Sequence, residues 1–198
     1  MTENKLQTIK TIALSATAAT MFSFMPADSG TWKSDSIHSN LTFSVVHFGI
    51  SDVDGSFKKF EATFTSSKED FTDAVFEFTG DVTSISTDNV QRDEHLKSPD
   101  FFDAAKFSAI IFKSTSVKKI ADKKYKISGE LTMHGITKPV DLDATIASGI
   151  NLRSKKPLVG VRIIGALSRS AFGIGSSVPA AMVSDEVTIK GSAEFGKE

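Results

Sequence analysis

The chain has 198 residues and a formal net charge of −1, from 23 basic and 24 acidic side chains. This length fits one sizeable domain with its own core, and the near balance of charge excludes a broad field for gathering nucleic acid or an anionic membrane surface. The sequence contains no cysteine, which excludes a disulfide framework, thiolate chemistry and a lipid-modified N-terminal cysteine. The aromatic residues are 16 Phe, one Trp and one Tyr, so nearly all of the aromatic surface suits an apolar interior.

The first thirty residues differ from the rest of the chain. Lys5 and Lys10 precede a mildly apolar run that ends at Met25. A positive segment before an apolar run is typical of a secretory signal peptide. We therefore expect residues 1–27 to be a signal peptide and residues 28–198 to form one exported domain. The alternative is an N-terminal extension on a cytosolic protein. No later apolar run approaches the length of a membrane span, so we expect a soluble mature chain.

Period-2 alternation of apolar and polar residues dominates from Leu41 onward and predicts half-buried antiparallel strands. Four apolar faces are especially regular: Ala74, Phe76, Phe78, Gly80 and Val82; Tyr125, Ile127, Leu131 and Met133; Val140, Leu142, Ala144 and Ile146; and Val187, Ile189, Ala193 and Phe195. Less regular strands are predicted at residues 42–48, 53–64, 107–117 and 158–168. The apolar parity changes within the second of these, which predicts a bulge or bend at Lys58-Lys59.

About eight strands joined by short connections favour an up-and-down antiparallel β-barrel, because closure removes exposed strand edges. A two-sheet sandwich is the alternative that periodicity leaves open. The Gly-, Ser- and Ala-rich region 172–183 predicts a flexible rim.

The charged stretch 87–103 interrupts the strand pattern and predicts a short helical insert against the barrel. Asp88 can cap this helix, and Pro99 prevents it from continuing. Phe101 and Phe102 follow in a tight turn. An insert of this kind commonly serves as a lid or a site wall.

Helical spacing places Arg92 and His95 on one face of the insert, with Asp93 turned away by about 100°. Arg92 and His95 could together hold an anionic head group, while an Arg92 bridge to a carboxylate that pins the insert to the barrel is equally compatible. His95 with Asp93 or Asp100 could form an acid/base pair. No nucleophile motif, phosphate-binding glycine loop or zinc-protease motif accompanies them, so the sequence gives no positive support for an enzyme.

The four histidines are not spaced as a local chelating pair, so neither a metal site nor a cofactor is predicted. His134 is expected in a turn, and His38 is expected to bond to the backbone or to a carboxylate. His47 shares a strand face with Phe43 and Val45 and would project into the space that this face lines, unless it is a satisfied core histidine.

Five motifs run along the chain in order: Asp35-x-x-His38-Ser39-x-x-x-Phe43-x-Val45-x-His47-x-Gly49, Val53-x-Gly55-x-Phe57-x-x-Phe60, Arg92-Asp93-x-His95-Leu96-x-Ser98-x-Asp100-Phe101-Phe102-Asp103, Gly129-x-Leu131-Thr132-x-His134-Gly135-x-Thr137-Lys138-Pro139-Val140 and Arg169-x-x-Phe172-Gly173. Together they resemble the YceI-like family over nearly the whole mature chain. One departure is Ala171, where many family members carry an acid.

The resemblance implies an all-β, eight-stranded, lipocalin-like antiparallel barrel that is exported to the periplasm and binds polyisoprenoids or similar amphiphiles. It implies no established catalytic activity. The implied tunnel wall is Phe43, Phe57, Phe76, Phe78 and Phe112. The implied site or entrance is Arg92, Asp93, His95, Phe101 and Phe102, and His47 joins the candidates through its strand face.

The leading hypothesis is therefore noncatalytic binding, transport or sequestration of a long-chain isoprenoid-type lipid, with no nucleic-acid partner. One alternative is an envelope stress interaction module whose lumen is filled by its own Phe side chains. A less favoured alternative is a hydrolase or metal-dependent enzyme that uses the Arg92, Asp93 and His95 cluster. A homodimer that pairs through an outer face is compatible with the sequence, but the outer faces are too mixed to nominate one.

Overall fold

The computed structural model describes residues 30–198, so the predicted signal peptide lies outside the described residues. The strands are β1 (Gly30–Ser34), β2 (Asn40–His47), β3 (Ser51–Phe57), β4 (Phe60–Ser66), β5 (Val75–Asp81), β6 (Ile85–Ser86), β7 (Ala109–Ala121), β8 (Lys124–Met133), β9 (Ile136–Ile150), β10 (Pro157–Ser168) and β11 (Val183–Lys197). The helix α1 is Val90–Lys97, and short 3₁₀ turns lie at Val82–Ser84 and Ser170–Phe172.

Eight antiparallel strands close into a barrel. Around the ring the order is β1, β4, β5, β7, β8, β9, β10 and β11, and β11 pairs back onto β1 with Trp32 opposite Lys197. The predicted eight-stranded barrel is confirmed, and the sandwich alternative is wrong. Closure gives β1 and β11 a hydrogen-bonded neighbour on each side within the ring.

The barrel is lengthened where consecutive strands lie end to end, as β1 and β2 do, and as β3 and β4 do. The long β11 pairs first with β2 and then with β1, so β2 and β1 lie end to end along it. Only Lys58 and Lys59 separate β3 from β4, and their amides donate to the carbonyl and hydroxyl oxygens of Ser84 at 3.1 and 3.0 Å. The bend predicted from the parity change is confirmed at these two lysines.

The helical insert follows β6, which pairs with β3. The side chain of Asn89 caps α1 by accepting a hydrogen bond from the Arg92 amide at 3.0 Å. The prediction that Asp88 caps the helix is wrong by one residue. Asp88 has a left-handed backbone with φ of 57°, whereas Asn89 has the extended backbone that an N-cap adopts. The helix ends before Pro99, as predicted.

The alternating faces that the sequence predicted are confirmed. In β8, for example, Tyr125, Ile127 and Leu131 are buried, while Lys124 and Glu130 are exposed. Within residues 30–198, no helix is long and apolar enough to cross a membrane. The buried face of β8 belongs to the hydrophobic core and points to the inside of the barrel.

Near the β4–β5 connection, aromatic rings fill the barrel. Phe64 is 1% exposed and stacks on Trp32 with ring centroids 5.5 Å apart. The rings of Phe76, Phe195 and Phe71 lie 5.0, 5.1 and 5.9 Å from the same Phe64 ring. These five residues form what we call the aromatic plug, and it seals this part of the interior.

Candidate ligand-binding chambers

Beyond the aromatic plug, the interior contains two adjoining cavities. The inner chamber has a volume of about 160 Å³. Its wall is mainly apolar and includes Phe43, Phe57, Phe60, Phe76, Phe78, Ile110, Phe112, Ile127, Leu131, Met133, Val140, Leu142, Val161, Ile163, Leu167, Ile189 and Phe195. Because an apolar cavity of about 150 Å³ can hold benzene, this chamber can hold a short hydrocarbon segment.

The outer chamber is larger, at about 460 Å³, and lies under the helical insert and the segment 169–183. Its wall is formed by Phe43, Val45, His47, Val53, Phe57, Thr87, Arg92, His95, Leu96, Phe101, Phe102, Met133, Leu167, Arg169, Ile174, Val178, Met182, Val183, Val187 and Ile189. Five residues line both chambers and mark their boundary: Phe43, Phe57, Met133, Leu167 and Ile189.

The nominated residues are brought together around this interior, with one exception. Phe76, Phe78 and Phe112 line the inner chamber, and Phe43 and Phe57 line both. The outer chamber is lined by His47, Arg92, His95, Phe101 and Phe102. Asp93 lines neither chamber. A binding role for all these residues stays a prediction.

Thr87 explains why Asp93 is turned away. One Asp93 carboxylate oxygen accepts hydrogen bonds from the Thr87 amide at 2.7 Å and from its hydroxyl at 2.6 Å. Arg92 donates from Nε to the Thr87 hydroxyl oxygen and from Nη2 to the Thr87 carbonyl, at 2.7 and 2.8 Å. No bridge from Arg92 to a carboxylate occurs among the described residues. Both side chains instead secure the start of the insert to Thr87, which is 7% exposed.

The insert continues into the aromatic pair as a compact turn. The Phe101 and Phe102 amides donate to the carbonyls of Ser98 and Leu96 at 3.1 and 3.0 Å. The Phe101 ring meets His95 edge to face, and the Phe102 ring meets Phe57 at the chamber boundary. These contacts hold both phenylalanines against the outer chamber.

Arg169 organises the opposite wall and was not nominated from the sequence. It is 6% exposed, and its guanidinium donates five hydrogen bonds to backbone carbonyls. The acceptors are the carbonyls of Ser184, Ile174, Gly175, Val178 and Val183. All five Arg169 N–H groups are therefore bonded to carbonyls within residues 174–184, which fixes the shape of this wall. The Arg169-x-x-Phe172-Gly173 motif was the one sequence signal that could have identified it.

Asp185 fixes the start of the same wall. Its carboxylate accepts hydrogen bonds from the Ser168 hydroxyl at 2.5 Å and from the Ser170 amide at 2.9 Å. These bonds favour the ionised form, so they hold the pKa of Asp185 below its ordinary value. The 3₁₀ turn Ser170–Phe172 therefore has a carboxylate partner in Asp185, although Ala171 within the turn has no acidic side chain.

Two of the other histidines have structural partners. His134 lies in the β8–β9 turn with φ of 50°, as predicted, and its Nδ1 lies 3.0 Å from the carbonyl oxygen of Phe172. His38 donates from Nδ1 to the Asp35 carboxylate at 2.6 Å, which confirms the expected carboxylate partner. This hydrogen bond raises the pKa of His38 and lowers that of Asp35.

One group of described side chains has ligand atoms close enough to hold a cation. The carboxylates of Asp35 and Glu194 and the imidazole of His38 have ligand atoms within 4.8 Å of one another. Because the Asp35 carboxylate and His38 Nδ1 already satisfy each other, we interpret the group as a surface hydrogen-bonded cluster.

The chain matches the model of the YceI-like domain over residues 32–195. It is 39% identical over 131 residues to Protein YceI of Escherichia coli O157:H7, a match that covers 65% of this chain and 68% of that protein. It is 35% identical over 114 residues to a UPF0312 protein of Vibrio parahaemolyticus. The latter match covers 58% of this chain and 60% of the relative's length.

Solved structures share the fold. BcnA of Burkholderia cenocepacia superposes with a TM-score of 0.74 at 23% identity, covering 81% of this chain and 98% of that one. The YCEI protein of Campylobacter jejuni superposes with a TM-score of 0.68 at 28% identity, covering 75% and 87%. A polyisoprenoid binding domain from Saccharophagus degradans superposes with a TM-score of 0.65 at 12% identity, covering 84% and 98%.

Proposed function

The chain belongs to the YceI-like family, and from this premise we propose that it binds a long-chain isoprenoid-type lipid inside the barrel and carries or sequesters it without chemical change. The pair of adjoining apolar chambers carries this proposal. Burial of apolar surface contributes about 25 cal/mol per Å², so a prenyl chain needs few polar contacts to bind tightly. The shared fold of the polyisoprenoid binding domain from Saccharophagus degradans supports the ligand class.

The polar end of the lipid is proposed to face Arg92 and His95. Both side chains are exposed residues of the insert that line the outer chamber. Arg92 uses two of its five N–H groups on Thr87, and the other three have no partner among the described residues. Arg169 also lines this chamber, but its donors are all bonded to carbonyls. Arg92 is therefore the better partner for an anionic head group.

The charge of Arg92 can be tested separately from its bonds to Thr87. Arg92→Ala should weaken binding of farnesyl phosphate roughly tenfold more than binding of farnesol, because only the phosphate offers a charged acceptor. Arg92→Lys keeps the charge but loses the forked contact to Thr87, so it should restore much of the phosphate preference. Equal losses for both lipids in Arg92→Ala, measured by calorimetric titration, would reduce Arg92 to a structural role.

Native mass spectrometry tests the proposed function directly. Protein purified from the periplasm should show a reproducible adduct with the mass of a long-chain lipid, and organic extraction should remove it. A bare polypeptide mass under gentle ionisation would contradict the proposal. The periplasmic location is itself proposed from the predicted signal peptide and the family resemblance.

The other two candidate functions have weaker structural support. A packed interaction module would need a filled lumen, whereas chambers of about 160 and 460 Å³ adjoin in the interior. An enzyme that used Asp93 as a base would need its carboxylate to face a chamber, but Asp93 lines neither chamber, and one of its oxygens accepts two hydrogen bonds from Thr87. His95 Nε2 lies 3.4 Å from the Asp100 carboxylate, beyond the usual hydrogen-bond distance. These contacts favour binding over catalysis.

A further inference from the structure

Phe43 lies where the two chambers meet. It lines both of them, and its ring lies 5.7 Å from that of Phe57. The Phe57 ring in turn meets Phe102 edge to face at 6.0 Å. A row of three aromatic rings therefore runs from β2 through β3 to the insert, across the boundary that a long ligand would have to pass.

A glycine on the neighbouring strand accommodates the Phe43 ring. Gly55 is the direct partner of Phe43 in the β2–β3 register, so both residues face the interior. A Cβ atom built on Gly55 would lie 2.2 Å from Cζ and 2.6 Å from Cε1 of Phe43. The end of the ring thus occupies the space in which any other residue at position 55 would place its side chain.

Backbone conformation does not explain this glycine. Gly55 is not among the glycines with a positive φ, so an L-residue could adopt its backbone. The three heavy atoms nearest to an added Cβ all belong to the Phe43 ring, which can rotate about its own side-chain bonds. Gly55 therefore forms a notch that lets the ring lie along the barrel wall.

We propose that Phe43 and the Gly55 notch together set the length of lipid chain that the barrel accepts. With the ring in the notch, a chain that enters the outer chamber can continue into the inner one. With the ring displaced from the notch, the boundary narrows and the chain stops in the outer chamber. This inference rests on the proposed function and adds to it a determinant of chain length.

Substitutions of Gly55 and of Phe43 should change the preference for long chains in opposite directions. Gly55→Val fills the notch and pushes the Phe43 ring into the passage, so long chains should lose affinity while short ones keep it. Phe43→Ala removes the ring and widens the passage, so long chains should gain relative to short ones. Because both variants alter the same pair, Gly55→Val should have little further effect when Phe43→Ala is already present.

The experiment measures the affinities of geraniol, farnesol, geranylgeraniol and solanesol for the purified protein. The ratio of the solanesol affinity to the geraniol affinity should fall about tenfold in Gly55→Val, because burial of several methylene groups is lost. The ratio should rise in Phe43→Ala, and the double variant should have nearly the same ratio as Phe43→Ala. Phe71→Ala is the matched control, since Phe71 is a buried phenylalanine of the aromatic plug and lines neither chamber.

The results separate the inference from the function on which it rests. If wild-type protein binds the long prenols but the ratio is unchanged in both Gly55→Val and Phe43→Ala, the chain-length role is wrong and the lipid-binding function stands. If wild-type protein binds none of the four probes, both proposals are overturned. A shift in Phe71→Ala as large as that in Phe43→Ala would also overturn the inference, because general loosening would then account for the change.

Discussion

Phenylalanine has opposite roles in two regions of this barrel. In the aromatic plug, Phe64 packs against four other rings and is 1% exposed. In the chambers, Phe43, Phe78 and Phe102 are only half-buried and border empty volume. Phenylalanine thus seals one region and lines a cavity in the other, and Phe76 and Phe195 of the aromatic plug form the border between them, since they also line the inner chamber. The difference depends on how many partner rings the surrounding strands bring within contact distance.

The loss of stability should be greatest for a substitution in the aromatic plug. Phe64→Ala should lower the free energy of unfolding by about 3–5 kcal/mol, because it leaves a cavity among four tightly packed rings. Phe78→Ala should lower it by less than about half as much, since Phe78 already borders open space and has fewer packing contacts to lose. Urea denaturation of the two variants measures both values. Equal losses would show that the chamber wall is as tightly packed as the plug.

A smaller effect is expected at the wall of the outer chamber. Arg169→Met should lower the free energy of unfolding by about 3 kcal/mol, because five backbone carbonyls lose a charged donor in a buried site. Hydrogen exchange should accelerate in residues 170–183 before it does in the strands around Phe64. Arg92→Met is the matched control. Arg92 is exposed and donates to Thr87 alone, so we expect a loss of less than about 1 kcal/mol there.

If exchange in Arg169→Met instead accelerates equally in the plug and in residues 170–183, the two regions unfold as a single unit. The proposed contrast between a rigid plug and a separately organised chamber wall would then be wrong. A loss in Arg92→Met as large as that in Arg169→Met would contradict the role assigned to the buried carbonyl contacts.

A still smaller effect on stability is expected from pH, at the chamber wall that contains Asp185. The pKa of Asp185 lies below its ordinary value of 3.8 because Ser168 and Ser170 donate to the ionised carboxylate. Its contribution to stability is therefore present above pH 3.8 and is lost as the pH falls through the lowered pKa. The Ser170 amide signal in NMR spectra should titrate with this low midpoint, and Asp185→Asn should abolish the titration. A midpoint at or above 3.8 would contradict the assignment.

Local patterns in the sequence predicted much of the fold. The alternating faces, the bend at Lys58-Lys59 and the helix stop at Pro99 each depend on neighbouring residues, and all three are confirmed. The cap was placed one residue early, at Asp88, because side-chain chemistry alone does not distinguish two adjacent polar residues. The backbone angles distinguish them, and these depend on how the chain leaves β6.

The site was harder to predict than the fold. Phe76, Phe78 and Phe112 were placed on inward faces by alternation and resemblance, and they line the inner chamber. Arg169 belongs to a recognised motif but is not among the nominated site residues, because a motif does not reveal that its partners are backbone carbonyls. The resemblance groups Asp93 with Arg92 and His95, whereas helical spacing turns Asp93 from Arg92, and the structure agrees with the spacing, since Asp93 bonds to Thr87 and lines neither chamber.

Local sequence patterns predict antiparallel strands with one apolar face and a charged helical insert, because strand alternation and helix termination depend on neighbouring residues. Closure into a barrel, and the places where its interior is filled or hollow, depend on tertiary contacts. Phe64 and Phe43 are indistinguishable as residues, but Phe64 lies among four rings from β1, β5, β11 and the β4–β5 connection, whereas Phe43 rests against Gly55 beside two chambers. Packing depends on contacts between residues far apart in the chain, and those contacts exist only after the barrel has closed.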